Sequence, residues 1–296
     1  MKRKIILLLL FFPSLLLSQG TSKGDVSLKF PTTPFVAATG ESFVADPTAL
    51  QSILINPANI ASLETYEVLF SHTEWIQDIR TEYLSIAAPS SIGSFSLSIA
   101  NTSVNGIELR TNPGPALGTF DAQSAYIQLT YGIELTQNIQ LGIAPKYLYE
   151  KIFIDEATGY GIDAGILYTP QVDGLRLGCS VTNVGSLAAF RNDRTDLPTQ
   201  IRFGGTYTSK IDKMIFRIAA AFSSEIITSV NHYGLGGEVI FNQTLTARFG
   251  YQTGIDTRGF SAGLGIRYSF AKIDYAYVPF SLQVGNSHLL SIGFIL

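Results

Sequence analysis

The sequence predicts an all-β fold: a 14-stranded antiparallel transmembrane β-barrel with a short N-terminal plug-like segment. Three observations predict it. Apolar and polar residues alternate with a period of two along nearly the whole chain, the spacing of a strand with two unlike faces. The links between these segments alternate between short and long, as in an outer-membrane barrel whose two ends both lie in the periplasm. Charged residues make up only 15% of the 296 residues and hydrophobic ones 46%, well under the roughly 25% charge of soluble domains.

The chain opens on Lys2, Arg3 and Lys4, followed by an apolar stretch over residues 5–17 broken only by Pro13 and Ser14. A basic start, a short apolar run and the small Ser18 read as a secretory signal peptide over 1–18, cleaved on export. No later window approaches the ~18 continuous apolar residues of a membrane helix. Residues 19–64 carry no dyad repeat and read as a periplasmic or plug segment, leaving 65–296 for the barrel. Cys179 is the single cysteine, so no intramolecular disulfide is expected; it lies in an apolar row with Leu175, Leu177 and Val181 and reads as a small hydrophobe. With 20 Lys+Arg against 23 Asp+Glu, nothing favours a nucleic-acid partner. The partner implied by the composition is outer-membrane lipid.

Fourteen alternating segments are expected, near 66–74, 80–88, 92–104, 121–135, 138–150, 159–169, 174–184, 198–208, 213–224, 231–242, 244–255, 259–271, 272–279 and 287–296. Most have the length of a tilted strand crossing the hydrocarbon layer. In the clearest, Phe260, Ala262, Leu264, Ile266, Tyr268 and Phe270 point one way and Ser261, Gly263, Gly265, Arg267 and Ser269 the other. The long links, expected outside the cell, are 105–120, 185–197 and 280–286. The last segment alternates up to Leu296 and reads as a closing strand, with Leu in place of the commoner terminal Phe.

One face of these segments carries large aliphatic and aromatic side chains, as hydrocarbon requires. Tyr131, Tyr147, Tyr149, Tyr168, Tyr207, Tyr251, Tyr268, Tyr275 and Tyr277 read as an interfacial girdle. The other face is rich in Gly, Ser and Thr, with scattered ions at Glu134, Lys146, Asp163, Arg176, Arg202, Arg217, Glu238, Arg248, Arg267 and Asp274. These are expected to face the lumen. Two uses are open to them, lining a path for polar solutes or pairing with one another, and the near balance of signs favours pairing.

Catalytic and cofactor motifs are weak. Gly159, Gly161 and Gly165 lie inside an alternating segment with no helix after it, which reads as strand glycines and not a nucleotide loop. His72, His232 and His288 are too scattered to suggest a metal site. His288 and Ser291, three residues apart on a strand, point to opposite faces and cannot pair as base and nucleophile. Neither enzyme activity nor a cofactor is expected.

Two motifs carry a family resemblance. Asp46 and Ala49 precede Asn56-Pro57-Ala58 just before the first strand, and Asp274-Tyr275-Ala276-Tyr277-Val278-Pro279-Phe280 runs through Gly285 to His288 and Ser291. The first resembles the N-terminal segment of the FadL-like barrels, which folds into the lumen as a hatch. The second resembles the C-terminal hairpin of their PorV/PorQ relatives. With the leader and the fourteen segments, the resemblance spans the whole chain. It implies an outer-membrane protein associated with type IX secretion in Bacteroidota, where PorV is a non-enzymatic barrel that passes exported cargo to the attachment machinery. The expected function is therefore a secretion component whose external loops bind cargo or partner proteins. The alternatives are a FadL-like passive channel for hydrophobic or amphipathic small molecules, or a purely structural barrel with a protein partner.

Overall fold

The computed structural model describes residues 26–46, 49–188, 194–254, 257–281 and 285–296. The leader expected over 1–18 lies outside the described residues, as do parts of the long links 185–197 and 280–286.

The strands are β1 (Glu67–Glu74), β2 (Arg80–Ser90), β3 (Gly93–Leu109), β4 (Gly118–Thr136), β5 (Ile139–Ile152), β6 (Asp155–Tyr168), β7 (Leu175–Leu187), β8 (Thr195–Asp196), β9 (Gln200–Ile211), β10 (Met214–Glu225), β11 (Asn231–Phe241), β12 (Leu245–Thr253), β13 (Phe260–Tyr268), β14 (Ala271–Pro279) and β15 (Asn286–Ile295). Each long strand pairs antiparallel with the next, β7 with β9, and β15 returns to β1 with Glu67 opposite Ile295 and Glu74 opposite His288. The two-residue β8 adds only a short arm to β7. The result is a closed 14-stranded antiparallel barrel, the arrangement that leaves no sheet edge unpaired in lipid.

The burial pattern separates the two faces. Along β13, Ser261, Gly263 and Gly265 are buried and Phe260, Ala262, Leu264 and Ile266 exposed. Leu264 is 63% exposed, Ile218 59% and Phe249 51%, values that only a hydrocarbon solvent makes favourable for an ordered sheet. The outer face is thus the lipid-facing belt of a transmembrane barrel of the outer-membrane type. The tyrosines expected in the girdle all belong to this outer row; Tyr131 and Tyr149 are half-buried and the others exposed.

Turn lengths follow the expected alternation except around β6, where the β5–β6 turn has two residues and the β6–β7 link is longer, and three boundaries shift. The turn between β13 and β14 is residues 269–270 and not 271–272, because Ser269 takes a left-handed φ of 54°. At the opposite rim, β3 and β4 extend so that the long link shortens to 110–117, and β5 and β6 meet in a two-residue turn at 153–154. There Lys151, Asp155 and Glu156 look like loop residues. They instead continue the pairing, with Ile152 opposite Asp155 and a 3.1 Å Lys151–Glu156 ion pair. Charge placed them in a loop, and strand pairing beyond the lipid layer tolerates charge.

Inside the barrel lies the segment before β1. It forms a 3-10 turn (Val26–Lys29), α1 (Pro34–Ala38), α2 (Ala49–Ser52) and a second 3-10 turn (Pro57–Ser62). Thr33 caps α1, its Oγ1 accepting from Val36 N at 3.4 Å, with Pro34 at the first helical position. α1 packs on β12 to β15 and the Pro57–Ser62 turn on β3 to β6, so the segment crosses the lumen from wall to wall. Phe35, Phe43, Val44, Ile53, Ile60 and Leu63 are buried there among Leu69, Tyr83, Leu148 and Leu289. The interior is therefore less polar than the strand faces alone suggest: the segment brings its own apolar side chains, and the small inward residues of the wall leave room for them.

Candidate functional site

Segment and strands meet chemically in the lumen, and the Asn-Pro-Ala motif shows how closely. Asn56 is fully buried; its Oδ1 accepts from Ala58 N at 3.0 Å, and its Nδ2 donates to Val44 O at 3.0 Å and to Ile166 O of β6 at 3.3 Å. Pro57 then starts the 3-10 turn. A Cβ on Gly165 would collide with Asn56 Oδ1, and one on Gly142 with Pro57 and Ala58. Gly165, read from sequence as an ordinary strand glycine, is thus a seat for the motif, because only a residue without a side chain permits that backbone approach. Asn59, which sequence reasoning passed over, accepts from Asp46 N at 3.1 Å and donates to Ser52 Oγ at 2.9 Å.

Asp46 opens an ion ladder along the wall from β10 to β14. Its Oδ1 accepts from Arg217, whose Nη1 lies 2.6 Å from Glu238. Glu238 also accepts from Arg248 Nε at 2.6 Å, Arg248 Nη1 reaches Asp274 Oδ1 at 2.6 Å, and Lys272 sits 3.3 Å from Asp274 Oδ2. Register explains the spacing, since Arg217 pairs with Glu238 and Glu238 with Arg248 as direct cross-strand neighbours. The Arg217 guanidinium stacks 4.7 Å from the Phe43 ring centroid and that of Arg248 5.3 Å from Phe35, which covers the cations with rings from the segment. Buried charges persist only when paired in this way.

On the opposite wall, Lys146 and Asp163 pair at 2.8 Å, and Lys146 donates to Asn183 Oδ1 at 2.7 Å. Arg202 donates to Thr182 Oγ1 at 2.8 Å and to Gln200. Two further ion pairs join segment to rim, Lys29–Glu225 at 2.8 Å and Glu41–Arg258 at 3.0 Å. Burial opposes ionisation of Glu41, and Arg258, Arg202 and His232 outweigh it, so its carboxyl is held below the ordinary value.

The predicted lumen ions thus fall into two groups. Lys146, Asp163, Arg202, Arg217, Glu238, Arg248 and Asp274 are buried inside. Glu134 and Arg267 stand on the inward rows but at the rim and exposed, and Arg176 is half-buried beside it; the strand ends there rise clear of the packed interior. Gln140 bridges Glu134 to Ser62 of the segment, at 2.8 Å to each.

The C-terminal motif divides between the faces. Asp274 points inward into the ladder, while Tyr275 OH meets His288 Nδ1 at 2.7 Å on the outside and the Tyr277 ring lies 5.4 Å from that of His288. Pro279 ends β14, and Gly285, at φ 113°, accepts from Phe280 N at 3.1 Å to hold the hairpin loop. Ser291 is buried on the inward face, away from His288, so those two do not assemble into a catalytic pair.

Among the described residues, a smaller and a larger cavity flank the segment. The smaller, about 50 Å³, is lined by Lys29, Glu41, Gln51, Tyr126, Lys146 and Arg202 among others. The larger, about 330 Å³, opens at the rim that carries both ends of the barrel, and its lining includes Leu50, Gln51, Leu69, Ile215, Ile240, Arg267 and Lys272.

No family model matches the chain, and no curated protein matches it in sequence. Solved structures do match in fold. The Pseudomonas putida toluene transporter TodX aligns with a TM-score of 0.62 over 93% of this chain and 97% of its own, at 10% identity. The CymD monoaromatic hydrocarbon channel aligns with a TM-score of 0.60 over 89% and 97%, also at 10% identity. At such identity the likeness is one of fold. It extends over nearly the full length of both chains.

Proposed function

We propose that the protein is a passive outer-membrane channel for small hydrophobic or amphipathic molecules. The observation that carries this reading is the shared architecture with two hydrocarbon channels over almost the entire chain. The cavity of about 330 Å³ beneath the segment, with Leu50, Leu69, Ile215 and Ile240 beside Arg267 and Lys272, supports an amphipathic solute. The segment over 26–63 acts in this reading as a plug that restricts free diffusion. Liposomes containing the purified protein are expected to take up toluene faster than protein-free liposomes; equal rates would exclude the channel.

A second reading, a component of type IX secretion resembling PorV/PorQ, draws on the outward cluster of Tyr275, Tyr277 and His288, which gathers three motif residues on the wall and not on a pore. Under it, deleting the gene causes exported cargo to collect in the periplasm, and normal cargo export dismisses it. The shared fold with hydrocarbon channels favours the first reading.

A further inference from the structure

Gln51, in α2, is the residue common to the linings of the two cavities described above. We propose that Gln51 is the gate of the lumen: its side chain partitions the smaller cavity from the larger one, and its hydrogen bond to Asp274 holds the partition shut. The proposal deepens the channel reading and rests on it.

The geometry separates a fixed frame from a movable leaf. The backbone of Gln51 is pinned, its carbonyl accepting from Thr33 Oγ1 at 2.9 Å. Asp274 is pinned as well, by Arg248 at 2.6 Å and Lys272 at 3.3 Å. Between them the Gln51 amide reaches across, Nε2 donating to Asp274 Oδ2 at 2.7 Å. Its other end is unspent: Oε1, in a side chain only 7% exposed, takes no hydrogen bond among the described residues. A buried amide with one end satisfied and the other empty gains a bond when it turns to a partner that serves both ends at once. Three rotatable bonds let it do so without moving α2. A solute that offers Nε2 an acceptor in place of Asp274, while donating to Oε1, competes for the amide, and swinging it off Asp274 joins the two cavities. Small residues would leave the passage permanently open, and an ion would add a charge with no partner; a glutamine closes it reversibly.

The test uses the full chain in planar bilayers and liposomes. In Gln51→Ala the partition is gone, and single-channel conductance in potassium chloride is expected to rise about three-fold or more, because pore width sets ion passage. In Gln51→Leu the volume is kept and the latch lost, so openings are expected to become more frequent at unchanged step size. Trp75, the chain's one tryptophan, reports by its fluorescence that both variants keep the native fold. Gln51→Ala with wild-type conductance in a folded barrel overturns the gate, as does Gln51→Leu with wild-type opening frequency should the alanine variant not insert. Failure of the channel reading looks different: wild type and variants alike then show neither conductance nor toluene uptake above protein-free membranes.

Discussion

The wall from β2 to β4 and the wall from β10 to β14 face the same lumen yet are furnished differently. The first is lined by small hydroxyls: Thr81 with Thr102 at 2.9 Å, Ser85 with Ser98 at 2.8 Å and Tyr83 with Ser98 at 3.1 Å, all buried and all bridging β2 to β3. The second is lined by ions, from Asp46 through Arg217, Glu238 and Arg248 to Asp274. The hydroxyl wall makes these bonds between its own strands and offers an apolar seat, the cluster around Ile60, Leu63 and Leu148. The ionic wall is completed only by Asp46 and Gln51, which come from the segment. One side of the barrel meets the enclosed chain mainly through apolar contacts, the other through ion pairs and hydrogen bonds.

That difference can be broken or sharpened by substitution, with unfolding in detergent followed through Trp75. The largest loss is expected from Arg217→Ala, which takes the guanidinium away from the buried Asp46 and leaves Glu238 with Arg248 alone, at a cost of about 3–5 kcal/mol; a change under half of that would mean the ladder contributes little. Next comes the outer surface: Leu264→Arg puts a charge on the lipid face and costs about 2–4 kcal/mol if the site lies near the bilayer midplane. A cost near zero would place β13 outside the hydrocarbon. Gly142→Val forces a side chain into Pro57 and Ala58, with an overpacking cost of about 1–3 kcal/mol, and protease sensitivity before Tyr66 should rise with it. The smallest effect belongs to the hydroxyl wall, where Ser98→Ala removes one shared partner of Ser85 and Tyr83 and costs about 1 kcal/mol. Were Ser98→Ala to match Arg217→Ala, the contrast between the walls would vanish.

Most of the barrel was readable because lipid constrains every second residue independently. Phe260 to Ile266 must be apolar wherever the rest of the chain goes, so the alternation survives in a single sequence. Strand ends beyond the lipid lose that constraint, and residues 151–158 accordingly read as a loop although β5 and β6 pair through most of them. The segment was harder. Its α1 and α2 have five and four residues, too few for any helical period to register. The ionic pairing was foreseen in kind, but Asp46 and Arg217 are 171 positions apart, and nothing local to either names the other. Gln51 carried no signal, since a lone glutamine in a short helix resembles any other. A usable hint did exist for the glycines: Gly142, Gly165, Gly236, Gly250 and Gly263 all fall on inward rows, and each faces the segment.

Those glycines also tie the shape of the wall to the shape of what it holds. Their bare backbones are contoured to residues 38–42 and 56–58, and the seam between β1 and β15 joins strands from opposite ends of the sequence. Once that seam is laced, the wall is continuous and its contents are enclosed. Wall and contents are therefore cut to one another: neither the glycine rows nor the enclosed stretch could change shape without the other.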